Sequence, residues 1–236
     1  MTNTIYAIPT TQRPSKKNTY TPIESDIYLC RLVRAVSLGI QAQPDYQGQP
    51  KNPAFKVALS FELLGEVAEG TNAEGLPLDP QPACVFLDVF VFPGATRGKA
   101  FDVVNAIDPS LGATPSDLEW FKRSLGSVVS VQVGSYINKD GVTKNTVKAV
   151  LPTSNRAAAK ADEALCDLIW FNCYEDSDEM NSIYHNDLYK FQTKLLMDAD
   201  DNSSIPFAGV EQIKNTNPIT TQIKPTVEDY STEVPF

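Results

Sequence analysis

Ala83-Cys-Val-Phe-Leu-Asp-Val-Phe-Val-Phe92 is followed, after one short loop, by Arg97-Gly-Lys-Ala-Phe-Asp-Val-Val-Asn-Ala-Ile107. Across that loop the apolar period changes from two residues to between three and four. In the first stretch Val85, Leu87, Val89 and Val91 share one face of a strand, and Phe86, Asp88, Phe90 and Phe92 share the other. In the second, Phe101, Val104 and Ile107 recur at helical spacing. Pro115-Ser116-Asp117 then reads as the start of a further helix running to Leu125.

Working outward, two more strands precede this switch. Ile27 to Ser37 is rich in β-branched residues, with Ile27, Leu29, Val33 and Ala35 set against Tyr28, Cys30, Leu32, Arg34 and Val36. Phe55 to Leu64 alternates more cleanly: Phe55, Val57, Leu59, Phe61 and Leu63 fall on one face and Lys56, Ala58, Ser60 and Glu62 on the other. Two strands follow the helices, Ser127 to Asn138 and Val142 to Leu151, joined by a turn carrying Asp140-Gly141, the dipeptide suited to a tight hairpin. Three strands, a helix and two strands is the order of a small Greek-key barrel of the OB type, in which a helix separates strands three and four. The expected fold is therefore an all-β core with added helices: a five-stranded OB-type barrel over 23–152, preceded by a flexible arm over 1–22. A helical acidic extension over 153–208 follows, with helices expected at Ala157–Asp167 and Tyr184–Met197. A disordered acidic tail over 209–236 completes the chain, its last thirty residues having little apolar content.

Charge is divided unevenly along the 236 residues. Residues 1–160 carry sixteen Lys and Arg against fourteen Asp and Glu, whereas residues 161–236 carry four against fifteen. A near-neutral body can meet phosphate; an acidic tail cannot. The apolar runs are too short to cross a bilayer, and Met1-Thr-Asn-Thr-Ile-Tyr-Ala-Ile-Pro9 lacks the basic and apolar regions of a secretory signal. Cys30, Cys84, Cys166 and Cys173 form no C-x-x-C pair and read as reduced, mostly buried thiols.

Catalytic signatures do not emerge. The single histidine, His185, lies in the acidic region, and neither a phosphate loop nor a nucleophile elbow is found. Glu175-Asp-Ser-Asp-Glu179 reads as a solvated charge run in preference to a hard-cation site. No enzyme, metal or cofactor is expected.

Binding has more to work with. A single strand needs flat rings for its bases and cations for its backbone. With the strand-three valines in the core, Phe86 and Phe90 project outward; the same rings would equally suit a second core beneath the C-terminal extension. Tyr136 is a third candidate ring. Candidate phosphate partners are Arg31, Arg34, Lys56, Lys122, Arg123, Lys144 and Lys148, with Lys144 and Lys148 on one strand parity. The last ten residues, Val227-Glu-Asp-Tyr-Ser-Thr-Glu-Val-Pro-Phe236, resemble the terminal peptide of bacterial and phage single-stranded DNA-binding proteins. They depart from it in having Tyr230, Ser231 and Thr232 where consecutive aspartates are common. Tyr28 to Gly39, Tyr46 to Lys51 and Lys56 to Leu63 also resemble phage-encoded proteins of that family, over roughly 20–150. The resemblance implies a protein that coats single-stranded DNA in the cytoplasm of an infected bacterium, with no membrane partner and with homo-oligomerisation left open. It further implies that replication or recombination proteins are recruited through Val234, Pro235 and Phe236, steered by Glu228, Asp229 and Glu233. The rival is an OB-type interaction or structural protein that never touches nucleic acid.

Overall fold

The computed structural model describes residues 19–72 and 74–207. In chain order these form β1 (Thr19–Tyr20), β2 (Ile27–Gln41), β3 (Ala54–Ala68), β4 (Gly70–Thr71), β5 (Gln81–Phe90), α1 (Lys99–Ile107) and α2 (Glu119–Arg123). Then come β6 (Val128–Ile137), β7 (Thr143–Leu151), α3 (Asn155–Ala158), β8 (Ile169–Phe171), α4 (Asp178–Asn186) and α5 (Lys190–Met197). The protein is mostly β, with one large antiparallel sheet and a few helices. Its strands run in the order β5-β3-β2-β6-β7, and β8 adds parallel to β2. β1 and β4 form a separate two-stranded ribbon, so the end of the expected N-terminal arm is an edge strand.

The three strands, helix and two strands lie where the periodicity puts them. The closed barrel does not: among the described residues no ladder joins β5 to β7, and the sheet is an open path. The two edge strands nonetheless contact one another, and α1 packs against both. Val103 and Val104 of that helix are fully buried. The helix thus fills the space where closure would occur, and its burial replaces strand pairing as the force holding the edges together.

β2 departs from simple alternation. From Leu32 to Gly39 every residue is buried, because both of its faces are covered. Its 15 residues also serve two neighbours along one edge, β6 at Ile27–Arg31 and β8 at Arg34–Val36. Ladder irregularities between Leu32 and Arg34, and between Ser37 and Ile40, accompany the change of partner. Gly39 sits in the second with φ of 71°, and a Cβ there would come within 2.8 Å of Asp201 Oδ1, so only glycine fits.

The extension also differs from its expected form. Ala157–Asp167 is not a helix beyond the single turn of α3. Its backbone is committed elsewhere: Leu165 N and Cys166 N both donate to the Glu62 carboxylate at 2.8 Å, and Asp162 O accepts from Arg31. Tertiary bonds override alanine's preference. Tyr184–Met197 is two helices, broken at Tyr189, which is extended (φ −72°, ψ 146°); Gln192 Oε1 accepts from its N–H. The run Glu175–Glu179 starts α4: Ser177 Oγ accepts from Met180 N, and Asp178 and Glu179 occupy the first turn. There the acids complement the helix dipole.

Candidate nucleic-acid interface

The outer face of the β3–β5 pair is set by register. Lys56 stands opposite Phe90, Ala58 opposite Asp88, Ser60 opposite Phe86 and Glu62 opposite Cys84. Between them Val57, Leu59, Phe61, Val85, Leu87 and Val89 are buried inward, so the alternation read from sequence has the right phase. Phe86 is 49% exposed and Phe90 half-buried. Lys56 Nζ lies 2.7 Å from Asp88 Oδ2 and 5.8 Å from the centre of the Phe90 ring. The lysine's charge is therefore locally matched, and an incoming phosphate would compete with Asp88 for it.

On β2 the picture is different. Arg31 donates from Nη1 to Gly126 O and from Nη2 to Asp162 O, each at 2.8 Å. Arg34 is buried, donates to the carbonyl of Asp187, and lies 4.8 Å from the centre of the Tyr189 ring. Burial raises the pKa of the Asp187 carboxyl, against the opposing pull of Arg34. Glu62, one strand over, is 2% exposed beneath 165–166. Cys84 and Cys166 are free thiols with sulfurs 3.7 Å apart. Their hydrogen bond, and then burial, push the Cys166 pKa up. Residues 162–189 thus roof this part of the face, and both arginines are held by bonds within the chain.

The remaining candidates form two further groups. Lys122 and Arg123 are exposed on α2, and Arg123 Nη2 pairs with Asp117 Oδ2 at 2.9 Å. That bond holds the Asp117 carboxyl below the usual carboxylate range. On the β6–β7 hairpin, exposed Tyr136 stands opposite exposed Lys144, and the Lys148 stem crosses over Gly134. The exposed aliphatics Ile137 and Val142 flank the turn.

Sequence reading missed two rings. Tyr189 meets Phe86 edge-on, with ring centres 5.7 Å apart and planes at 87°. It also stacks with Phe191, at 5.7 Å and 10°. The one available signal was the pattern Tyr189-Lys190-Phe191, which treating 184–197 as a single helix concealed. His185 packs edge-on against Tyr184. Among the described residues no group of His, Cys, Asp and Glu is arranged to hold a metal ion, and no helix is long and apolar enough to cross a membrane. Glu228, Asp229, Glu233, Val234, Pro235 and Phe236 lie outside the described residues. Compared with protein-family models and with curated proteins, the chain matches none.

Proposed function

We propose that this protein binds single-stranded DNA with little sequence preference through an OB-type sheet, and recruits replication or recombination proteins through its acidic C-terminal segment. The OB-type reading is supported by connectivity: renumbered along the core, the strand path is 3-2-1-4-5, with the helix after strand three closing over the gap between strands three and five. One observation carries the binding reading. Phe86 and Phe90 project from the outer face of β5 with Asp88 between them, Lys56 standing opposite Phe90 and paired with Asp88, on a surface where large apolar rings are otherwise costly to leave wet. Rings stack on any base, and lysines follow a phosphate backbone without reading sequence. The hairpin, with Tyr136, Lys144 and Lys148, offers a second strip of the same chemistry. The recruiting half rests on the terminal Glu233-Val-Pro-Phe236 and its acidic approach.

The test is a fluorescence titration with oligo-dT at several salt concentrations. Log K is expected to fall linearly against log salt, with a slope of about −0.7 per phosphate contacted. Stacking contributes roughly 1–3 kcal/mol per base, so the double variant F86A/F90A is expected to bind at least about tenfold more weakly. Wild-type protein that ignores oligo-dT in dilute buffer would leave the protein-interaction rival standing.

A further inference from the structure

We infer that the C-terminal extension carries part of the nucleic-acid surface: Phe191, stacked on Tyr189, forms a second base-stacking platform beside Phe86, and single-stranded DNA passes from β5 onto α5. This rests on the proposal that the protein binds single-stranded DNA, and extends it to residues outside the sheet.

The geometry is that of an assembled aromatic corner. Phe86 and Phe191 are each about half exposed, at 49% and 51%. Both touch the more enclosed Tyr189, one at its edge and one stacked with it. Tyr189 is fixed from within the fold. Arg34 lies over its ring, its N–H is held by Gln192, and Gln192 is itself 1% exposed. The two outer rings are thus held by a rigid middle one and need no reordering when a ligand arrives, which lowers the entropic cost of binding.

The charge pattern selects the occupant. Lys190 and Lys194 are exposed one turn apart on α5, bracketing Phe191 in sequence. Lys56 stands opposite Phe90 on the same strand pair as Phe86, mostly covered and paired with Asp88, so the exposed cations here are those of α5. Exposed rings interleaved with lysines suit unpaired bases and their phosphates, whereas a purely apolar protein segment would leave the lysines without partners. The position also resolves the fate of β2. With Arg31 and Arg34 beneath the extension, a strand leaving Phe86 cannot run across β2, and the ring adjoining Phe86 on the exposed side belongs to Tyr189 and Phe191.

The test compares F191A, F191L and F191W with F86A/F90A, in the full-length chain, by anisotropy titration of labelled oligo-dT. Phe191 is half exposed, so thermal unfolding should be little changed. The expected result is roughly tenfold weaker binding for F191A, similar loss for F191L, and near-wild-type binding for F191W, because stacking needs a flat π-face and not mere bulk. Wild-type affinity in F191A alongside weakened F86A/F90A would overturn this inference and leave the function intact. So would unchanged DNA affinity with altered self-association, which would assign the rings to a protein contact. No binding by wild-type protein would remove both.

Discussion

β2 and β5 belong to one sheet, and each presents an outward row mixing polar and aromatic or cationic side chains, yet they meet opposite fates. On β5, Phe86 is open to solvent and Phe90 half open. On β2, Arg34 is buried and Arg31 is bonded to two backbone carbonyls. β2 itself draws the extension in, through its ladder with β8 and the bonds of Arg31 and Arg34. Glu62, on β3 between the two strands, adds a latch: its two carboxylate oxygens accept from consecutive N–H groups of the extension and hold residues 165–166 down over the face, beside Cys84 near the start of β5. A buried carboxylate that looks in sequence like one more outward polar residue thus helps to fix which part of the face is covered.

Breaking that latch gives the largest expected effect. Hydrogen bonds to a charged group contribute about 1.5–3 kcal/mol each, and both oxygens of Glu62 are used, so E62A is expected to lose several kcal/mol. E62Q should be nearly as harmful. One of its two positions becomes an NH2 facing an N–H, leaving two donors opposed with no acceptor. Urea denaturation measures the loss, and limited proteolysis between residues 152 and 168 measures the lifting of the roof. If the two regions differ only because of this latch, cleavage there should rise while the β3–β5 pair stays protected from hydrogen exchange. Equal loss of protection in β5 would mean that the sheet depends on the extension as a whole.

What could be read in advance divides along the same line. The inward rows of β3, β5 and β6 were legible because each faces one core and the sequence alternates accordingly: Val57 to Phe61, Val85 to Val91, Val129 to Val133. The switch of period after Phe92 placed the helix correctly. β2 was hard to read because burial on both faces erases alternation, and Arg34 carries no mark distinguishing a buried guanidinium from a solvated one. The extension was least legible. Its path is fixed by contacts more than a hundred residues away in sequence, such as Leu165 with Glu62 and Cys173 N with Ser37 Oγ, which no local pattern encodes. For the same reason Ile205 and Phe207 gave no warning that they are buried, with Phe207 packed on Tyr184 and Phe171.

A second, smaller effect sharpens the contrast between sheet and extension through one thiol in each. Burial pushes Cys30, in β2, up to about 12, and Cys173, after β8, up to about 11, from an ordinary value of 9.0. Above pH 9 the unfolded thiols ionise while the folded ones stay protonated, so the unfolded state holds fewer protons and stability falls as pH rises. The fall should continue until about pH 11 for Cys173 and about pH 12 for Cys30, with each thiol costing roughly 1.4 kcal/mol per pH unit between. Urea midpoints at pH 8 and pH 10 measure this. C30A is expected to be less stable at pH 8 and to flatten the alkaline limb, and C173A to do the same over its shorter range. If C173A flattens it while hydrogen exchange shows the sheet intact, the extension opens as a unit of its own.

The smallest effect tests whether the hairpin works like β5 or is merely adjacent to it. Gly134 on β6 has no Cβ, and the space is taken by the Lys148 stem; an added Cβ would lie 2.6 Å from Lys148 Cε and 3.0 Å from its Cγ. The closest of those atoms, Cε, is near the flexible end of a surface side chain, so G134A should displace the lysine at a cost below about 1 kcal/mol and leave the fold intact. If Lys148 follows a phosphate, K148A should reduce the salt slope of oligo-dT binding by about 0.7. G134A should reduce it in part, and the double variant should match K148A alone, because once the lysine is gone the new methyl has nothing to push aside. Additive losses would mean that Gly134 acts on binding by another route, and an unchanged slope in K148A would confine the interface to β5 and its aromatic neighbours.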